Sequence, residues 1–314
     1  MTLIDTRQLR AFQLLSQTGS FTATAKQMFV TQSAVSHSIK SLETNLGCSL
    51  LDRSGKSVAL TAHGETLLRR VETIMSEMNL ATEELTALNR WGYGRLRVGA
   101  TDTMCQYLLP AVLREFRESF PNCEVPIHAA DTEDLLALLD HGKVDLVLGM
   151  RPASDETGIE FRPLFSDELV FAVSPLHPWA TGESEAKDTL ASERFIIYAR
   201  RSPTYQLVAR HFRKQGLLTP QLTELGNMEA IKELSKIGMG VGVIAPWVIR
   251  NELADGSLVS VTPPGGGMKR EWGILLRGRG ADLTMIGETF TGICKTIART
   301  LEQEPDSKEK TANP

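Results

Sequence analysis

The sequence predicts a composite fold class: a mostly α N-terminal winged helix-turn-helix, one long linker helix, and a C-terminal α/β domain. Three observations carry it. Short amphipathic helical patterns break at Gly19 and Gly47 within the first fifty residues. Apolar residues then recur alternately three and four positions apart from Leu60 to Leu88, and beyond Trp91 strand and helix patterns alternate. The 314 residues exceed one typical domain, and 42% hydrophobic with 23% charged residues suit a packed core.

The N-terminal elements follow from their punctuation. Leu9, Phe12 and Leu15 share one face of a helix over Arg7–Thr18, which Gly19 stops. Ser20 can cap a second helix, Phe21–Met28, and Thr31 a third, Gln32–Leu46, closed by Gly47. Two helices joined by so short a turn have helix-turn-helix geometry. Ala23 and Ala25 allow close helix contact, and Phe21, Val30, Val35, Ile39, Leu42 and Leu46 supply a core. Gln32, Ser33, Ser36, His37 and Lys40 fall on the polar side of the third helix. There hydroxyl and amide groups can reach base edges, and a lysine can reach a phosphate. Leu50–Leu60 reads as a hairpin wing turning at Ser54–Gly55, with Arg53 and Lys56 aimed at the DNA backbone or minor groove. Residues 1–65 hold six Lys or Arg against four Asp or Glu, in a chain of net charge −4. That asymmetry suits a DNA module on an acidic remainder.

The linker helix spans Thr61–Asn89, with Gly64, Leu67, Val71, Ile74, Met78, Ala81, Leu85 and Leu88 at coiled-coil a and d spacing. Alone, such a helix exposes its whole seam, so it asks for at least one further chain. Packing on its own domain is the alternative.

In the C-terminal domain, strands are predicted at Leu96–Ala100, Cys123–Ala129, Asp145–Met150, Leu169–Val173, Phe195–Tyr198, Gly242–Ile244, Leu258–Val261 and Trp272–Leu276. Helices fit Leu108–Glu118, Glu133–His141, Thr204–Lys214, Glu229–Ile237 and Leu283–Leu301. The rhythm implies largely parallel sheets covered by helices. Two strand-to-helix loops carry hydroxyls, Thr101-Asp102-Thr103 and Asp131-Thr132, and Gly226-Asn227-Met228-Glu229 opens a helix in the same manner. Hydroxyls beside free helix N–H groups suit a carboxylate or sulfate. Each threonine could instead merely cap its helix. Arg151 and Arg200–Arg201 offer positive charge to an anion, which Asp102 would repel unless it faces away or is paired. Cys105, one turn into a helix, invites a redox role, but a buried inert thiol is the favoured reading.

Other classes find little support. The four cysteines have neither CxxC nor Cys/His metal spacing, so no metal, cofactor or disulfide framework is expected, and a reducing cytoplasm suits them. The N-terminus does not read as a signal peptide, and no apolar run nears the roughly 18 residues of a membrane span. GxSxG, P-loop and HExxH motifs are missing, and Gly238–Gly242 lacks the strand-then-helix context of a dinucleotide fingerprint, so an enzyme is not expected. A solute-binding protein would share the C-terminal architecture but not the DNA module. Gln303–Pro314 is polar and reads as a disordered tail.

The stretches FTATAKQ, TQSAVSHSIKSLE and LLDR-x(4)-VALTAHGE together resemble the LysR-type transcriptional regulators. Ser33 stands where many members have proline, and His37 where many have arginine. The resemblance implies a winged helix-turn-helix over 1–58, a coiled-coil linker over 59–91 and a periplasmic-binding-protein-like effector domain over 93–302. That domain would divide into subdomains of 93–165 with 267–302, and 166–266. It also implies major-groove contacts from Gln32, Ser33, Ser36, His37 and Lys40, with Arg53 on the wing. A small-molecule effector would bind at Thr101 and Thr103, with Thr132, Arg151, Asn227 and Met228 as further candidates. A homodimer or homotetramer on an interrupted dyad-symmetric double-stranded DNA site, with RNA polymerase as a further partner, completes what it implies.

Overall fold

A computed structural model describes residues 4–52, 58–87, 93–152, 158–217, 221–278 and 283–302. The chain divides into two compact units, Met1–Trp91 with Asp140–Lys143, and Gly92–Leu139 with Val144–Pro314.

The first unit contains α1 (Thr6–Thr18), α2 (Phe21–Met28), α3 (Gln32–Leu46), β1 (Leu51–Asp52), β2 (Ala59–Leu60) and α4 (Ala62–Ala87). Asp5, Ser20 and Thr31 cap the first three helices, accepting from the N–H groups of Arg7, Ala23 and Ala34 at 2.9, 3.3 and 3.3 Å. Gly19 and Gly47 close α1 and α3 in the left-handed conformation that glycine adopts without strain. Leu9, Phe12 and Leu15 of α1 pack on Val35, Ile39 and Leu42 of α3, and Leu50, Leu51 and Val71 complete the core. The antiparallel β1–β2 pair is the base of the expected wing. Its expected turn at Ser54–Gly55 lies outside the described residues, as does the expected disordered tail.

Two expectations change here. Val30, assigned to the core, is 45% exposed. The α4 seam is also divided. A Cβ at Gly64 would lie 2.2 Å from the Leu50 carbonyl oxygen, so Gly64 serves close packing of α4 on the strand region of its own unit. Val71 is likewise fully buried within that unit, whereas Ile74 and Met78 are exposed. Leu88 and the side chain of Leu85 lie outside the described residues.

The second unit runs β3 (Tyr93–Arg95), β4 (Val98–Ala100), α5 (Asp102–Tyr107), α6 (Leu109–Ser119), β5 (Asn122–Glu124), β6 (Ile127–Ala129), α7 (Thr132–Asp140), β7 (Leu146–Met150) and β8 (Ile159–Val173). It continues through α8 (Pro178–Thr181), α9 (Ala186–Thr189), β9 (Arg194–Tyr198), α10 (Pro203–Lys214), β10 (Gln221–Leu225), α11 (Met228–Lys236) and β11 (Val241–Ile244). Last come α12 (Arg250–Asp255), β12 (Val259–Val261), β13 (Met268–Arg277) and α13 (Met285–Glu302).

The main sheet has strand order β10-β9-β11-β8-β13-β7-β4-β6, with β12 also on β8. It is mixed, not largely parallel. The βαβ pairs at its two ends are parallel, β4 with β6 and β7, and β9 with β10 and β11. Between them, β8 and β13 lie antiparallel to each other and to their outer neighbours β11 and β7. These two long strands carry the chain from one end of the sheet to the other. Charged residues, Glu160, Arg162, Asp167 and Glu168 in β8 and Lys269, Arg270 and Glu271 in β13, interrupt their apolar pattern, which is why only their C-terminal parts were expected. The predicted strand Cys123–Ala129 is two strands parted at Val125–Pro126, where proline removes a ladder donor.

Candidate functional site

The solvent face of α3 presents Gln32, Ser33, His37 and Lys40 exposed and Ser36 half-buried, opposite the buried Val35, Ile39 and Leu42. The spacing dictates this, since residues three, four or seven apart share a helix face. Ser33 Oγ lies 3.0 Å from the hydroxyl of the capping Thr31. Arg53 is outside the described residues. Immediately before this face, Phe29 is 94% exposed at φ +56°, the one non-glycine residue with positive φ among those described. An aromatic in this conformation is strained, and sequence periodicity carries no signal for it.

In the second unit, the chain leaves β4, β6, β9 and β10 into the starts of α5, α7, α10 and α11, and these four openings converge on one small cavity of about 30 Å³. Thr101, Thr103, Asp131 and Thr132 line it from the first two loops, and Tyr198, Ser202, Pro203, Thr204 and Met228 from the others. Thr101 stands at the N-cap position of α5 but makes no capping bond. Its Oγ1 is buried without a hydrogen-bond partner among the described residues. Thr103 and Thr132 beside it are 9% and 6% exposed. Ser202 does cap, accepting from the Tyr205 N–H at 3.1 Å.

Arg270 of β13 and Trp272 complete the lining with Met150. Arg270 donates from Nε to Asp167 Oδ1 at 2.8 Å, from Nη2 to Oδ2, and from Nη1 to Thr204 Oγ1 at 3.0 Å. The indoles of Trp247 and Trp272 both donate to Asp167 Oδ2, at 2.8 and 2.9 Å. The guanidinium also sits 4.9 Å from the Trp272 ring centroid. A buried charge pair is tolerated because it is bidentate and its remaining lone pairs are satisfied. Sequence reasoning missed Arg270 and Asp167, which precede the strand segments it assigned.

Residues 93–284 match the family model described as the LysR substrate binding domain, and residues 6–65 that of the bacterial regulatory helix-turn-helix protein, lysR family. The chain belongs to the LysR family. Among its relatives, the RuBisCO operon transcriptional regulator of Allochromatium vinosum is 29% identical over 91% of this chain and 94% of its own length. The HTH-type transcriptional regulator MetR of Salmonella typhimurium is 30% identical, covering 83% of this chain and 80% of its own. These relatives are regulators by name, not enzymes. The crystal structure of ArgP from Mycobacterium tuberculosis superposes with a TM-score of 0.73 at 23% identity, over 95% of this chain and 98% of that one. This LysR-family chain thereby shares its fold with that protein.

Other charged groups of this LysR-family chain lie around the cavity. Tyr198 donates its hydroxyl to Asp102 Oδ2 at 3.2 Å, so Asp102 is paired. Burial, then the Asp102 and Asp131 carboxylates, push the Tyr198 hydroxyl pKa upward. Arg151 pairs with Glu271 at 2.8 Å, and Asn227 caps α11 by accepting from the Ala230 N–H at 3.1 Å. Neither lines the cavity, while Met228 does. Arg200 pairs with Glu224, and Arg201 lies 3.9 Å from Glu133 and Asp134. Glu229 Oε1 receives Gln106 Nε2 and Tyr107 OH of α5, both at 2.8 Å, and Lys232 Nζ at 3.0 Å. This clasp ties α5 to α11. Burial and then Asp102 raise the Cys105 pKa, which disfavours the thiolate. Among the described residues, no cluster suits a metal ion and no helix is long and apolar enough to cross a membrane.

Proposed function

We propose that this LysR-family chain is a cytoplasmic, sequence-specific DNA-binding regulator of transcription, working as a homodimer or homotetramer and governed by a small anion bound at the Thr101–Thr103 cavity. Gln32, Ser33, Ser36, His37 and Lys40 read double-stranded DNA, with Arg53 on the wing and RNA polymerase as the downstream partner. Thr101, Thr103 and Thr132 hold the effector together with Ser202, Thr204, Met228 and Arg270. Arg151 and Asn227 act one step removed, through Glu271 and through the capping of α11.

The observation that carries the effector reading is the buried Thr101 hydroxyl without a partner among the described residues, beside the buried Thr103 and Thr132, in a cavity that also holds Arg270. Buried polar groups are nearly always hydrogen-bonded, so an unmet hydroxyl in a cavity calls for a ligand. Arg270 spends three donors on Asp167 and Thr204 and retains two of its five N–H groups. The N-termini of α7, α10 and α11 add partial positive charge. Ligand binding then acts through whichever closure of the cleft it favours, by differential affinity for the two states.

The test has two arms. Footprinting on the DNA flanking its own gene is expected to give a protected, salt-sensitive site, lost in the double variant Ser36→Ala, His37→Ala. Thermal denaturation of the full chain with millimolar sulfate or short carboxylates is expected to show a rise in Tm. That rise should vanish in Thr101→Val, Thr103→Val, a change that keeps shape and removes the hydroxyls. No protected site, or an undiminished rise in the valine variant, refutes the corresponding half.

A further inference from the structure

The two charged side chains lining the cavity have opposite signs and opposite circumstances. Arg270 is neutralised by Asp167 in a bidentate pair. Asp131 has no side-chain hydrogen bond or ion pair among the described residues, although it lines the same cavity. The carboxylate of Asp102 is answered by the Tyr198 hydroxyl, so Asp131 is the unanswered one. An anion alone would satisfy Arg270 and the threonines and leave Asp131 facing a like charge. That arrangement costs affinity, since an unpaired charge in a closing cleft loses its water without a replacement. The same carboxylate is an asset if the ligand brings its own cation.

We infer that the cavity takes a compact zwitterion, a short-chain amino acid whose carboxylate faces Arg270 and the threonine hydroxyls and whose ammonium pairs with Asp131. This rests on the small-anion reading of the same site and adds the second charge. The lining narrows the class further. Its apolar part is confined to Met150, Pro203, Met228 and Trp272, which suits a short side chain. An ammonium offers three donors, enough for both Asp131 oxygens and one threonine hydroxyl.

The experiment compares matched pairs on the full-length protein by calorimetry and thermal denaturation: glycine with acetate, L-alanine with propionate, L-serine with 3-hydroxypropionate, and sulfate as a simple anion. At least one amino acid is expected to bind ten-fold or more tightly than its partner lacking the ammonium. In Asp131→Asn that preference should disappear because the amino acid weakens ten-fold, while the carboxylate binds as well as before or better. The variant's unliganded Tm reports whether it folds, and Asp131→Glu should restore part of the preference. If carboxylates or sulfate bind as tightly as the amino acids, or Asp131→Asn leaves the preference intact, the zwitterion is overturned and the small-anion reading stands alone. If nothing in either panel binds, both fall.

Discussion

Asp167 accepts from Arg270, Trp247 and Trp272 together, and its side chain is 3% exposed. Removing one partner of such a pair leaves a buried charge unanswered, which costs about 3–5 kcal/mol. Asp167→Ala is therefore expected to lower unfolding free energy by about that amount in urea titration. It should also redshift the emission of Trp247 and Trp272, as water reaches their N–H groups. A loss below about 1 kcal/mol would mean that Arg270 finds a substitute acceptor. Phe29 is the complementary case, strained and exposed rather than satisfied and buried. Phe29→Gly relieves the left-handed strain, so the first unit should gain stability of about 1 kcal/mol in thermal or chemical denaturation. A loss of stability would show that Phe29 makes a supporting contact.

Among the helices, α4 has two kinds of apolar residue at one spacing. Leu67 and Val71 pack on the core of the first unit, while Ile74 and Met78 stand 42% and 43% exposed. Large exposed residues in coiled-coil register are covered by another helix in a stable assembly. Ile74→Glu with Met78→Glu is expected to shift the protein to monomer in light scattering, with the fold of the first unit retained by circular dichroism. Unchanged mass would remove α4 from the association surface. Gly64→Ala tests the inner face instead. Its Cβ would meet the Leu50 carbonyl oxygen, and the backbone shift this forces costs about 1–3 kcal/mol.

For the molecule as a whole, the clasp between α5 and α11 makes stability depend on pH. Lys232 also pairs with Glu252 of α12 at 2.8 Å. Burial raises the Glu229 and Glu252 pKa values, but hydrogen bonds and charge from Lys232, with Tyr107 and Gln106 at Glu229, outweigh it, and both end below their usual 4.5. A carboxylate with a lowered folded-state pKa stabilises fully above its unfolded value and loses that contribution as pH falls through the folded one. Lys232 is raised above 10.5, so its share persists throughout the neutral range. Tm is expected to hold from pH 7 to about 5 and to fall below 4.5. In Glu229→Gln it should start lower and decline less steeply, and parallel curves would exclude the clasp as the cause.

Much of this was legible in the sequence because it depends on neighbours along the chain. Caps, αL stops and the polar face of α3 are set within one or two turns, and Thr101, Thr103 and Thr132 declare themselves by ending strands and opening helices. The family signature in the first 65 residues adds the DNA module. Tertiary structure alone decided that Thr101 does not spend its hydroxyl on a cap, that α4 divides its seam, and that Arg270 meets Asp167 and Thr204 across the second unit. Those partners are separated by 103 and 66 positions, and the strands of Asp167 and Arg270 carry charge where an apolar rhythm would announce a strand. A local pattern reports what a residue can do. Which of those possibilities is realised depends on the distant chain that folds against it.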